Sequence, residues 1–339
     1  MGDPAARLRE LAVSAGYAAA LRAAAVLRIA DAFTETATAE ELAAAVGARP
    51  DTVDRLMTAL THHRVFERRA DGRFAHTACS RLLREDEPGG LRYMTLWATE
   101  PWTWRMWAVL DESVRSGASV SGGLFGKDFF RYVHEDAPES AEVFARAMTQ
   151  GSARTAAAIA GELDLTGARS VADIGGGQGH VLATLLERHP GLRGILFDLP
   201  AVVADADERL RPGGALAGRA ALVGGDCLSS IPVRADVYLL KNLLEWDDDR
   251  TAATLRNLAA AAPPGARVVI VQNLVDDAPE PKYHTAMDLM LLLNVGGRRH
   301  TRPGLTRLAE TAGLPVTRAH PIPGTHLTAL ECRVRPASG

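Results

Sequence analysis

Cysteine is scarce in this chain, and what there is cannot be paired by spacing. Cys79, Cys227 and Cys332 are widely separated and form no C-x-x-C pair among the 339 residues. That excludes a disulfide framework and a structural zinc, and it fits a reducing compartment; no metal site is expected. Long apolar runs are also missing: no stretch reaches the about 18 residues that a membrane-spanning helix needs. The opening segment, MGDPAARLRELAVSAG, lacks the apolar core of a signal peptide. The expectation is a cytoplasmic protein with no membrane partner. Positive charge is not in surplus, since the net charge is −3 and no basic stripe is visible, which makes nucleic acid a poor candidate partner. Repeats and low-complexity tracts are absent, and the length suffices for two domains with sizeable cores. Aromatic residues make up only 5% of the chain, so their crowding into one place is informative.

What is present centres on residues 171–198, VADIGGGQGHVLATLLERHPGLRGILFD. A short run, Val171 to Ile174, apolar but for Asp173, leads into Gly175, Gly176, Gly177 and Gly179. An apolar-periodic helix from His180 to Arg188 follows, then a second short apolar run ending on Asp198. Strand, glycine turn, helix, strand and acid make up half of a nucleotide-binding sheet. The glycines allow a ligand to approach the backbone closely at the start of the helix. A dinucleotide fingerprint, G-x-G-x-x-G, would need glycine where His180 stands. The chain instead reads D-x-G-x-G-x-G, with Asp173 two residues before the first glycine. An acid there suits a ligand with an amino group, and Asp198 at the next strand end can accept both hydroxyls of a ribose. A tight turn in an ordinary α/β protein is the plainer alternative; the two acids together favour S-adenosylmethionine.

Two further strand ends extend the pattern. Ala221 to Gly225 reads as a strand followed by Asp226, Cys227 and Leu228, an acid and an apolar residue able to hold an adenine by its amine and its face. Taken singly, Asp226 reads equally as a turn-former. Ala235 to Leu240, apolar but for Asp236, reads as a strand buried on both faces, and it delivers Lys241 to its carboxyl end. Lys241 alone reads equally as a solvated strand end. Ligands of open parallel sheets bind at those ends. Later strands are expected over 267–271, 316–320 and 327–334, with helices over 250–261, 283–293 and 303–311.

On VADIGGGQG, FDLP (Phe197 to Pro200), GGDCL (Gly224 to Leu228), APPGARVVIV (Ala262 to Val271) and DLMLLLNVGGRRHT (Asp288 to Thr301), the chain resembles the S-adenosylmethionine-dependent small-molecule O-methyltransferases. That family includes plant phenylpropanoid and bacterial polyketide-tailoring enzymes, and the resemblance covers nearly the whole chain. It implies an α/β fold: a Rossmann-like class I methyltransferase sheet with an N-terminal, mainly α, winged-helix dimerisation domain. The implied domains are 1–90 for dimerisation, 91–160 as a helical linker and substrate lid, and 161–339 for the cofactor. By similarity, Asp173, Gly175, Gly177 and Gly179 face the methionine part of S-adenosylmethionine. Asp198 and Leu199 flank the ribose, Asp226 and Cys227 the adenine, and Lys241 the cofactor's edge. The implied partners are a small aromatic substrate and a second copy of the chain.

The N-terminal part supports this with its own patterning. Tyr17 to Phe33 reads as an alanine-rich helix whose apolar face is too broad for one small domain to bury. Thr38 with Glu41 reads as a capping box, Asp51 to Thr61 as a second helix, and Phe66 to Phe74 as a hairpin around Asp71-Gly72. Helix, turn, helix, hairpin also raises a DNA-binding regulator, but the would-be recognition helix offers only Arg55 and two terminal histidines beside two acids. Trp97, Trp102, Trp104 and Trp107, four of the five tryptophans, fall close together. They read as core packing or as an aromatic wall for a planar substrate. Helices are expected over 141–150 and 151–165. Trp104, Phe144 and Met148, with Met290 and Asn294 further on, are the candidate substrate contacts.

The chemistry is where the chain departs from the family it resembles. The family deprotonates its phenol with a histidine in an L-H-D-W-x-D stretch after the fourth strand; here the stretch is LLKNLLEWDDD (Leu239 to Asp249). Counted forward from Lys241 the histidine's place falls on Glu245, and counted back from Trp246 on Leu244. Its two supporting glutamates align with Gln272 and Arg299. A phenol with a pKa of about 10 must still lose a proton. The candidates are Glu245, with a carboxylate pKa raised by burial; an imidazole from His300 or His284; or no base at all. The expected function is O-methylation of an aromatic or polycyclic hydroxyl in bacterial secondary metabolism. The alternatives are C- or N-methylation, or a non-methylating reaction with bound cofactor, as in some polyketide-modifying relatives that also lack the histidine.

Overall fold

Asp3 starts the first helix well before the apolar pattern does. In the computed structural model, which describes residues 3–276 and 280–334, α1 spans Pro4–Val26 rather than the expected 17–33. The Asp3 carboxylate accepts the N–H groups of Ala5 and Ala6, and Pro4 occupies the first turn, where its missing N–H costs nothing. The helix stops early because Arg28 takes a left-handed conformation at φ 55°, after which Ile29–Asp31 form a short 3-10 turn. Expectations that run onto Met1, Gly2 or the residues after Val334 lie outside the described residues.

Only Ala24 and Ala25 of α1 are buried, whereas Leu8, Leu11 and Val13 are exposed. Next come α2 (Ala39–Val46), with the Thr38/Glu41 capping box complete, and α3 (Pro50–His62). Strands β1 (Thr36–Ala37), β2 (Phe66–Arg68) and β3 (Phe74–His76) pair antiparallel in the order β1-β3-β2. Leu42, Val53, Met57, Leu60, Phe66 and Phe74 form the core of this part. The chain divides into two compact units. One holds the residues up to Arg105 with Val133–Arg154; the other holds Met106–Tyr132 and everything from Thr155. The stretch 91–160 is thus shared between the units. Helix α4 (Pro138–Glu162) runs unbroken through Gly151, where a boundary between two helices was expected. One interior glycine costs a helix only about 1 kcal/mol relative to alanine, too little to break 25 residues.

The second unit is built on seven strands: β4 (Ser170–Ile174), β5 (Arg193–Asp198), β6 (Ala220–Gly224), β7 (Val237–Lys241), β8 (Arg267–Gln272), β9 (Val316–Pro321) and β10 (Thr328–Arg333). Their order is β6-β5-β4-β7-β8-β10-β9, with β4 to β8 parallel to one another and β10 antiparallel to both β8 and β9. Chain order reverses at β4, so the switch point lies between β4 and β7. Side chains of β7 alternate between two apolar layers. Val237 and Leu239 enter one, Tyr238 and Leu240 the other, as the period of two requires. This strand begins two residues later than its apolar run. Ala235 gives its N–H to the Tyr238 hydroxyl and Asp236 gives its own to Ser170 Oγ, so neither is left for the ladder. The helices of this unit that matter below are α5 (His180–Arg188), α6 (Asp248–Ala261), α7 (Pro281–Val295) and α8 (Arg302–Thr311). Among the described residues no helix is long and apolar enough to cross a membrane.

Candidate active site

The turn after β4 takes its shape from missing side chains. Gly175 sits at φ 65°, and a Cβ there would lie 2.4 Å from Leu243 Cδ1. A Cβ on Gly176 would meet Leu196 and the Asp173 carboxylate at 2.6 Å, and one on Gly179, at φ 84°, would meet Leu210 at 2.6 Å. Gly177 is different: φ is 61°, but nothing lies within 4 Å of its Cβ position. The turn is therefore closed against its own strands and open on one side. Asp198, at the end of β5, fastens it by accepting the Gly177 N–H at 2.8 Å, and also accepts the Leu199 N–H at 2.7 Å. Burial raises the Asp198 pKa and the two N–H groups oppose that rise. Leu199 beside it is exposed.

Asp173 is only 1% exposed, and its Oδ1 has no hydrogen-bond partner. Burial pushes its pKa up to about 7 against the pull of Lys241. Lys241, at the end of β7, is itself lowered by burial while Asp173 and Glu245 support its charge. Beyond β6, the exposed Asp226 accepts the Leu228 N–H and the Ser229 hydroxyl, so it does form a turn. Cys227 is buried with its thiol pushed up to about 11 by burial, and Asn257 Nδ2 holds its carbonyl at 2.9 Å. The ends of β4, β5 and β7 and the turn after β6 thus carry Asp173, Asp198, Lys241 and Asp226 at the carboxyl edge of one sheet.

The same edge continues past β7 with different chemistry. Leu244 is fully buried in the apolar layer, so of the two positions that the shortened stretch left open Glu245 is the polar one. Gly297 makes the next approach possible: a Cβ there would lie 2.0 Å from the Glu245 carbonyl oxygen. Two residues on, Arg299 Nε stands 3.9 Å from Glu245 Oε1, and an Arg299 Nη1–H group donates to His284 Nδ1. Burial raises the Glu245 pKa, and Arg299 and Lys241 draw it back. Burial and the neighbouring Arg299 hold His284 down at about 4. His326, just before β10, faces His284 with ring centroids 5.7 Å apart. Sequence reasoning missed His326 and Tyr283, whose only signal is their final proximity. Gln272, at the end of β8, is buried with both side-chain polar atoms lacking partners.

His300 is built into the packing. It is 3% exposed, its Nε2 lies 3.1 Å from Thr251 Oγ1 in α6, and it hydrogen-bonds the Trp246 backbone. Its pKa is lowered, burial being the main cause. Met290 and Asn294 are both 4% exposed on α7, and the Asn294 carbonyl accepts the Ser119 hydroxyl. In the other unit, Trp104 is half-buried with its indole N–H donated to the Thr99 carbonyl. Phe144 packs against Trp97 at 5.7 Å, Trp97 and Trp102 are core residues, and Met148 is 38% exposed.

Comparison with known proteins gives this arrangement a context. The O-methyltransferase domain model matches residues 107–315, and the O-methyltransferase dimerisation domain model matches residues 10–86. The chain is 37% identical over 298 residues to a mitomycin biosynthesis 6-O-methyltransferase of Streptomyces lavendulae, covering 87% of this chain and 84% of that one. It is 34% identical to a 2,7-dihydroxy-5-methyl-1-naphthoate 7-O-methyltransferase of Streptomyces carzinostaticus, covering 89% and 91%. Among solved structures, an O-methyltransferase from neocarzinostatin biosynthesis, in complex with S-adenosylmethionine and 2-hydroxy-5-methyl naphthoic acid, superposes with a TM-score of 0.77 at 31% identity, covering 94% and 96% of the two chains. The exposed apolar face of α1 lies largely within the dimerisation match. The chain belongs to the O-methyltransferase family and is an S-adenosylmethionine-dependent enzyme that forms a homodimer through its own dimerisation domain.

Proposed function

We propose that the enzyme methylates a hydroxyl on an aromatic or polycyclic acceptor in the cytoplasm, and that Glu245 takes the hydroxyl's proton. The acceptors in the relatives' names, a naphthoate among them, support an aromatic substrate. For the cofactor, the unpartnered Asp173 Oδ1 and the open side of Gly177 fit an amino-acid tail with an ammonium group. Gly175 and Gly179 let the turn close against Leu243 and Leu210 and so hold that side in place, Asp198 and Leu199 take the ribose, Asp226 and Cys227 the adenine, and Lys241 closes the edge. When bound, S-adenosylmethionine supplies an electrophilic methyl on a sulfonium, so the protein is left to align the acceptor, exclude water and move one proton.

The observation that carries the reading of Glu245 is its place. A carboxylate with a pKa raised by burial follows β7 at the same sheet edge as Asp173 and Lys241. A raised pKa improves its match to a phenol, while Arg299 and Lys241 keep enough of it ionised to act as a base. His300 is assigned a supporting role, because its ring is committed to Thr251 and the Trp246 backbone. Met290 and Asn294, in the same unit as Glu245, are proposed to shape the acceptor's surroundings. The loss of the family's histidine and both its glutamates favours one second reading, a non-methylating reaction with bound cofactor. Incubation with methyl-labelled S-adenosylmethionine and a panel of hydroxyarenes should yield an O-methylated product. Tight cofactor binding with no labelled product from any of them would transfer the assignment to the second reading.

A further inference from the structure

Arg299 is a cation in the wrong surroundings for a purely structural role. It is 6% exposed, yet its Nε–H has no acceptor: Asp288 takes only its backbone N–H, and Glu245 Oε1 lies 3.9 Å from Nε, beyond hydrogen-bond reach. Arginine is almost never fully buried unless paired, and a carboxylate pairs with it best through two short parallel bonds. Here Nη1 is given to a neutral imidazole instead. Because a guanidinium can only donate, His284 Nδ1 accepts and the His284 proton is on Nε2, which is also buried without a partner. The Tyr283 side chain also hydrogen-bonds Arg299, and its ring lies 5.7 Å from the guanidinium carbon. His284 and Tyr283 thus hold the guanidinium in place without neutralising it, and a buried N–H and a carboxylate face each other across a gap that neither closes.

We infer that Arg299 recognises an anionic oxygen on the ring position next to the hydroxyl that is methylated, so that the acceptor is an aromatic hydroxy acid. The hydroxyl donates to Glu245 and the neighbouring anionic oxygen accepts from Arg299 Nε–H. One ligand then satisfies both groups, which are too far apart to satisfy each other. His284 is a positioning residue in this arrangement. The inference rests on the reading of the acceptor as a hydroxyarene and of Glu245 as the group facing its hydroxyl.

The test reads binding and involves no methyl transfer, so its outcome is separable from that of the catalytic assignment. Full-length enzyme loaded with S-adenosylhomocysteine is titrated calorimetrically with a hydroxynaphthoate whose carboxylate adjoins the hydroxyl, and with the matching naphthol. The wild type should bind the hydroxy acid at least about tenfold tighter, the range expected of one hydrogen bond to a charged group. Arg299→Gln should reduce that preference to within about twofold, and Arg299→Lys should keep part of it. S-adenosylhomocysteine affinity, measured for each variant, reports whether the fold survives. If Arg299→Gln does not fold, the wild-type preference and the Arg299→Lys result decide. Equal affinity of the wild type for the two compounds, tighter binding of the naphthol, no binding of the hydroxy acid at millimolar concentration, or a preference undiminished in folded Arg299→Gln would overturn the inference.

Discussion

The two halves of the sheet's carboxyl edge are made of different materials. From β4 to β6 the site is mostly backbone: glycines at φ values near 60–85°, N–H groups, and acids fastened to them. After β7 it is side-chain electrostatics, with Arg299 and His284 buried against each other, Glu245 partly buried beside Arg299, and none fully matched. The first half is built for one ligand and resists change residue by residue. The second half has lost the family's histidine and glutamates while the sheet beneath it stays intact. A fold can hold its cofactor end fixed and let its reaction end drift, because the first depends on space and the second on charge.

Substitutions should separate the two halves by the size and kind of their effects. The largest effect is expected for Gly175→Val, which adds a branched side chain at positive φ where even a Cβ would meet Leu243 at 2.4 Å. S-adenosylmethionine affinity should fall about 1,000-fold or beyond detection by calorimetry. Asp198→Ala comes next, weakening binding by ~2 to 3 kcal/mol as the ribose hydroxyls and the Gly177 N–H lose a charged acceptor. Unchanged affinity would remove Asp198 from the site. The smallest effect belongs to the second half and to stability. His284 titrates at about 4 in the folded protein and at about 6.5 unfolded, so the unfolded chain binds the proton first as the medium is acidified. The stability it contributes is present above pH 6.5 and is lost as pH falls toward 4. Denaturant unfolding at pH 7 and pH 5 should show wild type losing on the order of 1 kcal/mol more than His284→Gln.

Legibility in the sequence follows the same division. The glycine turn, helix α5 and the acid at Asp198 could be placed from spacing alone, because consecutive residues determine a strand, a turn and a cap. The later strands and helices were legible for the same local reason, with ends moved by particular bonds such as Ala235 N–H to the Tyr238 hydroxyl. The start of α1 was missed because Asp3 and Pro4 cap a stretch whose apolar residues stay exposed. In the second half, Glu245 could be named but not its surroundings. Residues 245, 284, 299 and 326 meet only through the tertiary fold, and the pairing of Arg299 with an imidazole has no local signature. His300 stood out as a histidine in a suggestive motif, and only its bond to Thr251 identifies it as packing.

One measurement tests the division directly. Glu245→Gln keeps the shape and removes the basic carboxylate, and two quantities are read from the same preparation: the turnover rate for a methylated hydroxyarene and the calorimetric affinity for S-adenosylmethionine. The rate should fall about 100-fold or more, as expected when a general base is lost, while the affinity stays within about twofold, since no cofactor contact is assigned to Glu245. An unchanged rate, or a rate and an affinity that fall together, would contradict the assignment of proton transfer to Glu245 and of cofactor binding to the other half.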